Sequence, residues 1–420
     1  MIHCDCNSGQ DGRIMHKAYK VRLYPTKKQA ELIGKTIGCC RYVYNYSLAG
    51  RVSFYEKFKD DKAILGAYKY PTIKSLREES SWLKEVSSSA LRQSQIDLDK
   101  AYSNFFRRVK QGQKPGFPKF KKKGKCQDSY RECQIVNSIR LEDNNTKLTL
   151  PKLGKVKIRR LSKDFSGAIK SVTVSRSKSG KYYASMLVEK EQTEKRKRVS
   201  DNIVGIDLGL KEFAVCSNGD FIYGIKDKVA RLDVKIRKQQ KHLSRKVQGS
   251  NRWYDCKRQL NILYEYRQNY LNHFQWHLAN KLCSENQAIA LEDLNVSGMK
   301  KNRKLSHGIQ NVNWSSFVVK LEQKAKQYDT TVYKVGRFFP SSKTCSRCGK
   351  IKKDLKLSDR VYKCDCGFEI DRDLNAAINI KNEFLKSVEY TDNRHGEVVR
   401  PRRLIYNPQG SFVEVSTNSL

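Results

Sequence analysis

From Ile203 to Val335 the apolar residues switch between short strand-like runs and the three-to-four-residue spacing of helices, in one readable order. Ile203–Ile206 and Phe213–Cys216 read as the arms of a strand hairpin. Two helical patterns follow, one carrying Val229, Leu232, Ile236, Leu243 and Val247, the other Leu260, Leu263, Tyr270, Leu271, Phe274 and Leu278. Next come a strand over Ala288–Leu291, a helix through Trp314, Phe317, Val318 and Leu321, and a strand over Thr331–Val335. A chain patterned in this way builds an α/β sheet faced by helices.

Three acidic residues punctuate that pattern: Asp207 in GIDLG (205–209), Glu292 in ALEDL (290–294) and Asp373 in DRDLNAA (371–377). Strand hairpin, helix, strand, helix, strand is the order of an RNase H-like α/β core, whose strand ends would deliver Asp207 and Glu292 to one edge. Each motif alone is weak, because an Asp after an apolar strand is usually a turn residue and one near a helix start is usually a cap. Asp373, Ala376 and Ala377 fall on one side of a helix, where small residues permit close packing on a sheet. Converging carboxylates repel one another, and Mg²⁺ or Mn²⁺, bound by hard oxygen ligands, would offset that repulsion. Asp207 is the expected bridging ligand between two ions, with Glu292 and Asp373 each completing one shell. The neighbouring Asp293 and Asp371 read as supporting or capping residues.

The formal net charge of +41, from 84 Lys+Arg against 43 Asp+Glu, points to a polyanionic partner. A small domain needs a net charge of only about 2 to 8 for solubility. Residues 107–125 concentrate the effect, with nine Lys/Arg, no acid, and Pro115, Phe117, Pro118 and Phe120 interleaved. Arg107, Arg108, Lys110, Lys114, Lys119, Lys121, Lys122, Lys123 and Lys125 are therefore candidate phosphate contacts. No run of 18 apolar residues and no secretory leader is evident, so a cytoplasmic protein without a membrane partner is expected. At 420 residues the chain should hold two or three domains.

In the first half, residues 17–24 alternate like a half-buried strand that stops at Pro25, and Thr26 is a plausible N-cap of a helical region reaching Phe106. One helix there is marked by Leu91, Ile96, Leu98, Ala101, Tyr102, Phe105 and Phe106. Short alternating segments from 135 to 190 suggest an antiparallel barrel completed by the strand at 17–24. Glu191–Arg198 reads as a linker, and residues 1–16 as an extension.

Thirteen cysteines fit a reducing compartment, with adjacent Cys39 and Cys40 packing rather than pairing. Cys345 and Cys348 form one knuckle, Cys364 and Cys366 a second, 15 residues apart, as in a Cys₄ zinc ribbon. The second knuckle is one residue short of Cys-x-x-Cys. Four thiolates leave no open position, so the Zn²⁺ expected there is structural.

Taken together, KAYKVRLYP (17–25), CRYVYN (40–45), GFPKF (116–120), LPKLG (150–154), PSSKTC (340–345) and DRDLNAA (371–377) resemble the TnpB family of transposon-associated, RNA-guided DNA endonucleases, relatives of Cas12-type nucleases. The resemblance runs from Lys17 to about Asn382 and implies a multidomain α/β-plus-β-barrel protein. Its parts would be a wedge-type barrel (17–26, 132–198), an inserted helical recognition domain with the basic arm (27–131), a RuvC nuclease domain (199–338, 368–384), a zinc-ribbon target-strand-loading insert (339–367) and a tail (385–420) that is aperiodic and either disordered or RNA-associated. By motif position Asp207, Glu292 and Asp373 correspond to the family's RuvC triad. The implied partners are a guide RNA from the transposon end, of the omega type, and double-stranded target DNA next to a short motif read near Ser88, Ser89 and Arg92. A monomer is expected, since one copy carries all three acids. A strand-transferring transposase and a binding-only regulator are the alternatives; the guided-nuclease motifs disfavour the first and the intact acids the second.

Overall fold

Alternation of exposed and buried side chains over Ile14–Tyr24 makes β1, the strand on which the first half is built. In this computed structural model the described residues are 14–161, 165–191, 196–302, 306, 308–309, 312–356, 358–388, 402–406 and 412–415. The chain divides into two units, Met1–Thr193 and Glu194–Leu420.

In the first unit, β1 pairs antiparallel with β7 (Tyr182–Glu191), Val21 opposite Ala184, and at its end with β5 (Gly154–Ile158), Leu23 opposite Ile158. With β2 (Asp128–Cys133), β3 (Arg140–Glu142), β4 (Lys147–Leu150) and β6 (Ala168–Arg176) they form a seven-stranded sheet ordered β2-β6-β7-β1-β5-β4-β3. The terminal strands β2 and β3 do not pair, so among the described residues the expected barrel is an open antiparallel sheet. Thr26 caps α1 (Lys27–Phe58) in a reciprocal box with Gln29, and the Gln29 amide also donates to the Leu153 and Lys155 carbonyls, fixing the helix start to the sheet. Short α2 (Lys62–Leu65), α3 (Ile73–Glu79) and a 3₁₀ turn (Ser81–Glu85) lead to α4 (Ser88–Lys110). Ile33, Ile37, Cys40 and Val43 of α1 and Leu91 of α4 join Val156, Val172, Val174 and Met186 in one core. Cys39 and Cys40 are buried free thiols, packing as expected.

The second unit holds β8 (Asn202–Asp207), β9 (Ala214–Cys216), β10 (Asp220–Tyr223), α5 (Lys226–Ser244), α6 (Asn251–Glu285), β11 (Asn286–Glu292), α7 (Val296–Met299), α8 (Trp314–Tyr328), β12 (Thr331–Val335), a hairpin of β13 (Val361–Lys363) and β14 (Glu369–Asp371), α9 (Arg372–Ser387), β15 (Arg402–Tyr406) and β16 (Phe412–Val415). Its sheet runs β12-β11-β8-β9-β10-β15-β16, with β8, β11 and β12 parallel and β9 antiparallel to both neighbours. Alternation sorts the side chains: Val204, Ile206, Ile289 and Leu291 meet Phe274, Leu278 and Phe317 of α6 and α8, whereas Ala288, Ala290 and Val335 meet Ile380 and Phe384 of α9. No helix among the described residues is long and apolar enough to cross a membrane.

Three expectations change. The tail from 385 is not structureless: α9 continues to Ser387, and β15 and β16 extend the sheet beyond β10, with Phe412 6.0 Å from the Phe274 ring. Four- and five-residue strands are too short to reveal a period. The extension stops earlier than residue 16, because β1 starts at Ile14. The linker ends before Arg196, whose N–H reaches Gln327, and Arg198 donates to the Tyr328 and Asp329 carbonyls.

Candidate carboxylate site and cysteine module

Ile206 stands opposite Leu291 on the parallel strands β8 and β11, so the next residues, Asp207 and Glu292, leave the sheet side by side, about 4.8 Å being the usual spacing of paired strands. The same alternation turns both towards α9, since Gly205 and Ala290 face that helix. Gly205 is required there: a Cβ on it would lie 2.5 Å from the Lys381 nitrogen and closer still to the Ala377 carbonyl. The small residues of the DRDLNAA segment thus let α9 lie on the sheet, as expected. Gly209 lies in the turn beyond, where a Cβ would stand 2.8 Å from the Glu212 carbonyl.

Asp373 enters from the first turn of α9. Asp371 caps that helix by accepting from the Asp373 and Leu374 amides, the capping role anticipated for it. Burial pushes the Asp207 carboxyl up to about 8, reinforced by the charges of Glu292 and Asp373. Burial and Asp371 raise Asp373, against Arg372 and Arg360, whose guanidinium nitrogens stand 3.9 and 3.7 Å from its carboxylate. Asp207 therefore feels both other acids, and all three gather where β8, β11 and α9 meet. Asp293 is engaged by Arg337 at 2.6 Å, outside the trio.

Sequence reasoning missed three groups here. Ser341 donates to Glu292 Oε1. Glu212, buried in the β8–β9 turn, adds its charge to the field at Asp373. Asn375 and Asn379, one helical turn apart on α9, bind the backbone leading into Cys345. The only signal was their place in the same short segment as Asp373.

The four cysteines converge as expected, with ligand atoms all within 4.8 Å of one another. Among the described residues they alone form such a group; the carboxylates are not packed as tightly. Sulfur separations of 3.8 Å for Cys345–Cys366 and 3.6 Å for Cys348–Cys364 suit a tetrahedron with ~2.3 Å metal–sulfur bonds, whose edges are about 3.8 Å. The short second knuckle still turns, because Gly367 takes φ +80° and its N–H reaches the Cys364 carbonyl. The quartet fits zinc. The Lys350 N–H draws the Cys348 thiol down to about 7, whereas burial pushes Cys345 up to about 12.

Along the basic arm, Arg107, Arg108, Lys110, Lys114, Lys119, Lys122, Lys123 and Lys125 are exposed, as is Arg92 on α4. Lys121 differs from its neighbours in being half-buried: its ammonium lies 3.8 Å from the Tyr44 ring centre, and its backbone exchanges two hydrogen bonds with the Asn45 side chain. Phe117 packs edge-on against Phe105 and Tyr102, so it anchors the arm to α4. Ser88 is exposed; Ser89 accepts from the Cys133 N–H and is committed to holding β2.

A seven-stranded mixed sheet with acids at its strand ends, joined to a four-thiol module, defines the class of protein. Family profiles match over residues 15–60 ("Helix-turn-helix domain"), 185–303 ("Probable transposase") and 314–380 ("Cas12f1-like, TNB domain"). The first spans β1 and the single continuous helix α1. A Streptomyces pristinaespiralis protein named "Putative RNA-guided DNA endonuclease" is 31% identical over 92% of this chain and 92% of its own. Escherichia coli (strain K12) "Putative RNA-guided DNA endonuclease InsQ" is 30% identical over 87% of this chain and 91% of its own. The chain belongs to this TnpB-like family. The Cas12f1 chain of a cryo-EM sgRNA–target DNA complex shares the fold at TM-score 0.52 and 16% identity, covering 88% of this chain and 99% of that one.

Proposed function

We infer that this protein is an RNA-guided DNA endonuclease that cuts double-stranded DNA beside a short adjacent motif at a single carboxylate site. The observation that carries the reading is the parallel register that brings Asp207 and Glu292 off adjacent strand ends beside the first turn of α9, with the Asp207 carboxyl raised by burial and then by the charges of Glu292 and Asp373. Strand order and acid placement support an RNase H-like, RuvC-type domain over 199–338 and 368–384, with the cysteine module as its insert over 339–367. The open sheet of 17–26 and 132–198 serves as the wedge, and 27–131 as the recognition domain.

Asp207, Glu292 and Asp373 would be the carboxylates that hold the divalent cations, with Asp207 feeling the charge of both others. Bound there, Mg²⁺ or Mn²⁺ supplies the Lewis acidity that phosphodiester hydrolysis requires. Arg372 and Arg360 temper the charge at Asp373. Zn²⁺ holds the four-cysteine insert together. The guide is an omega-type RNA from a transposon end, and one protomer suffices for cutting. Sequence choice resides in base pairing, so the protein contributes basic surfaces such as the 107–125 arm.

Protein purified with its RNA should linearise a plasmid carrying the matching target in Mg²⁺, and Asp207→Ala should abolish cutting while RNA and target binding persist. Wild-type cutting by Asp207→Ala overturns the site, and joined transposon ends formed without RNA would identify a transposase instead.

A further inference from the structure

Two asparagines of α9 make four hydrogen bonds to the turn that opens the first cysteine knuckle and whose Ser341 reaches Glu292. Residues 340–344 fold tightly, the Lys343 and Thr344 amides and the Thr344 hydroxyl all directed at the Pro340 carbonyl. Asn379 donates to the Ser341 and Thr344 carbonyls at 2.7 and 2.6 Å. Asn375 donates to the Thr344 carbonyl at 2.7 Å and accepts from the Ser346 N–H at 3.0 Å, gripping the backbone on both sides of Cys345. Both amides are buried, Asn375 completely, so each unmade bond would leave a desolvated polar group, a cost of about 1–3 kcal/mol. Such residues fix a unique arrangement rather than add bulk stability.

From the held turn, the Ser341 hydroxyl reaches Glu292 Oε1. The other side of the turn enters the cysteine module, where Thr344 bridges Ile351, Lys352 donates to the Lys343 carbonyl, and the fully buried Tyr362 hydroxyl donates to the same carbonyl. The helix that carries Asp373 thus also carries the clamp on the segment that orients Glu292.

We propose that Ser341, Asn375 and Asn379 form a latch that orients Glu292 and makes cation binding at the carboxylate site depend on the folded state of the cysteine module. Ser341 is a positioning residue: its O–H occupies one Glu292 oxygen and leaves the other for a cation. Asn375 and Asn379 keep Ser341 at that oxygen and hold Cys345 at the opening of its knuckle. This inference rests on the reading of Glu292 as a cation ligand.

The test uses the full RNA-loaded protein and three measurements: Mn²⁺ affinity by calorimetry, cleavage rate against Mg²⁺ concentration, and zinc retention against a chelator. Ser341→Ala should weaken Mn²⁺ binding and shift the Mg²⁺ half-saturation upward about three- to tenfold, with zinc retention and target binding unchanged. Asn379→Ala should shift the Mg²⁺ half-saturation and also release zinc faster. Ser341→Cys, which restores a weaker donor on a somewhat larger atom, should recover part of the Mn²⁺ affinity. An unchanged Mn²⁺ affinity and Mg²⁺ dependence in Ser341→Ala overturns the latch. The underlying reading fails separately, if Glu292→Gln binds Mn²⁺ and cuts like the wild type.

Discussion

Gly205 on β8 and Ala377 on α9 touch through their backbones, with no room for a side chain between them. This contact sets the distance from the sheet that carries Asp207 to the helix that carries Asp373. Gly205→Ala should push α9 off β8, costing about 1–3 kcal/mol or more. Thermal unfolding should show the loss, and residual cleavage should fall further than stability alone explains. A variant as stable and as active as the wild type would mean the close approach does not set the site.

Proton and cation compete for Asp207. Its carboxyl, held near 8 by burial and by Glu292 and Asp373, is mostly protonated at neutral pH when no cation is present. Below that value cation binding displaces the one Asp207 proton, so the Mg²⁺ needed for half-maximal cleavage should fall as pH rises from 6 to 8, by up to about tenfold per unit, and level off above. Mg²⁺ titrations at several pH values would show it. A half-saturation independent of pH would remove Asp207 from the ligand set.

The second unit was legible because its strands are continuous apolar runs whose ends coincide with acids, and because α6 and α8 carry long periodic stripes. β10 and the β15–β16 pair were not legible: runs such as Asp220–Tyr223 are too short to show a period, and β15 is assembled by a partner distant in sequence. The convergence of Asp207 with Glu292 followed from strand ends, but the roles of Ser341 and Asn379 depend on tertiary hydrogen bonds that no spacing encodes. Lys121 stands apart for a related reason. A lysine in a basic run looks like its neighbours until the Tyr44 ring beneath it is known.

That difference can be measured. Replacing Lys119, Lys122, Lys123 and Lys125 together by Ala should lower the slope of log affinity for RNA or DNA against log salt by about 3, because four phosphate contacts are lost. Lys121→Ala should leave the slope nearly unchanged while loosening the arm from α1, losing a cation–π contact of about 0.5–2 kcal/mol. Equal slope changes from Lys121→Ala and from any one exposed lysine would show that Lys121 leaves the Tyr44 ring to bind phosphate.

Glu132 gives the first unit its own pH dependence. It is buried between β2 and α4, accepts from the Ser87 hydroxyl at 3.0 Å, and is pushed up to about 7, chiefly by burial. A folded-state value above the 4.5 of the free side chain means that the folded chain keeps a proton the unfolded chain releases. Stability is therefore unimpaired below about pH 4.5, declines as pH rises towards 7, and carries the full penalty above, about 3 kcal/mol at most. Glu132→Gln should raise the unfolding midpoint relative to wild type at pH 8 and lose that advantage near pH 5. Gains equal at both pH values would assign the effect to packing instead of charge.

Zinc should decide whether residues 342–371 are folded. Among its described residues the module buries one large side chain completely, Tyr362, and is otherwise a β13–β14 hairpin of three-residue strands with a single bridge, Thr344 to Ile351. So small an apolar centre cannot offset the conformational entropy of some thirty residues without cross-links, and the four thiolates are the cross-link present. One zinc per chain should be found by native mass spectrometry, and Cys364→Ser or a strong chelator should remove it. Hydrogen exchange should then accelerate at the Cys345, Lys352 and Cys364 amides while β8 and β11 stay protected. Full protection of those amides in metal-free protein would show that the hairpin folds unaided, and the cysteines would need another explanation.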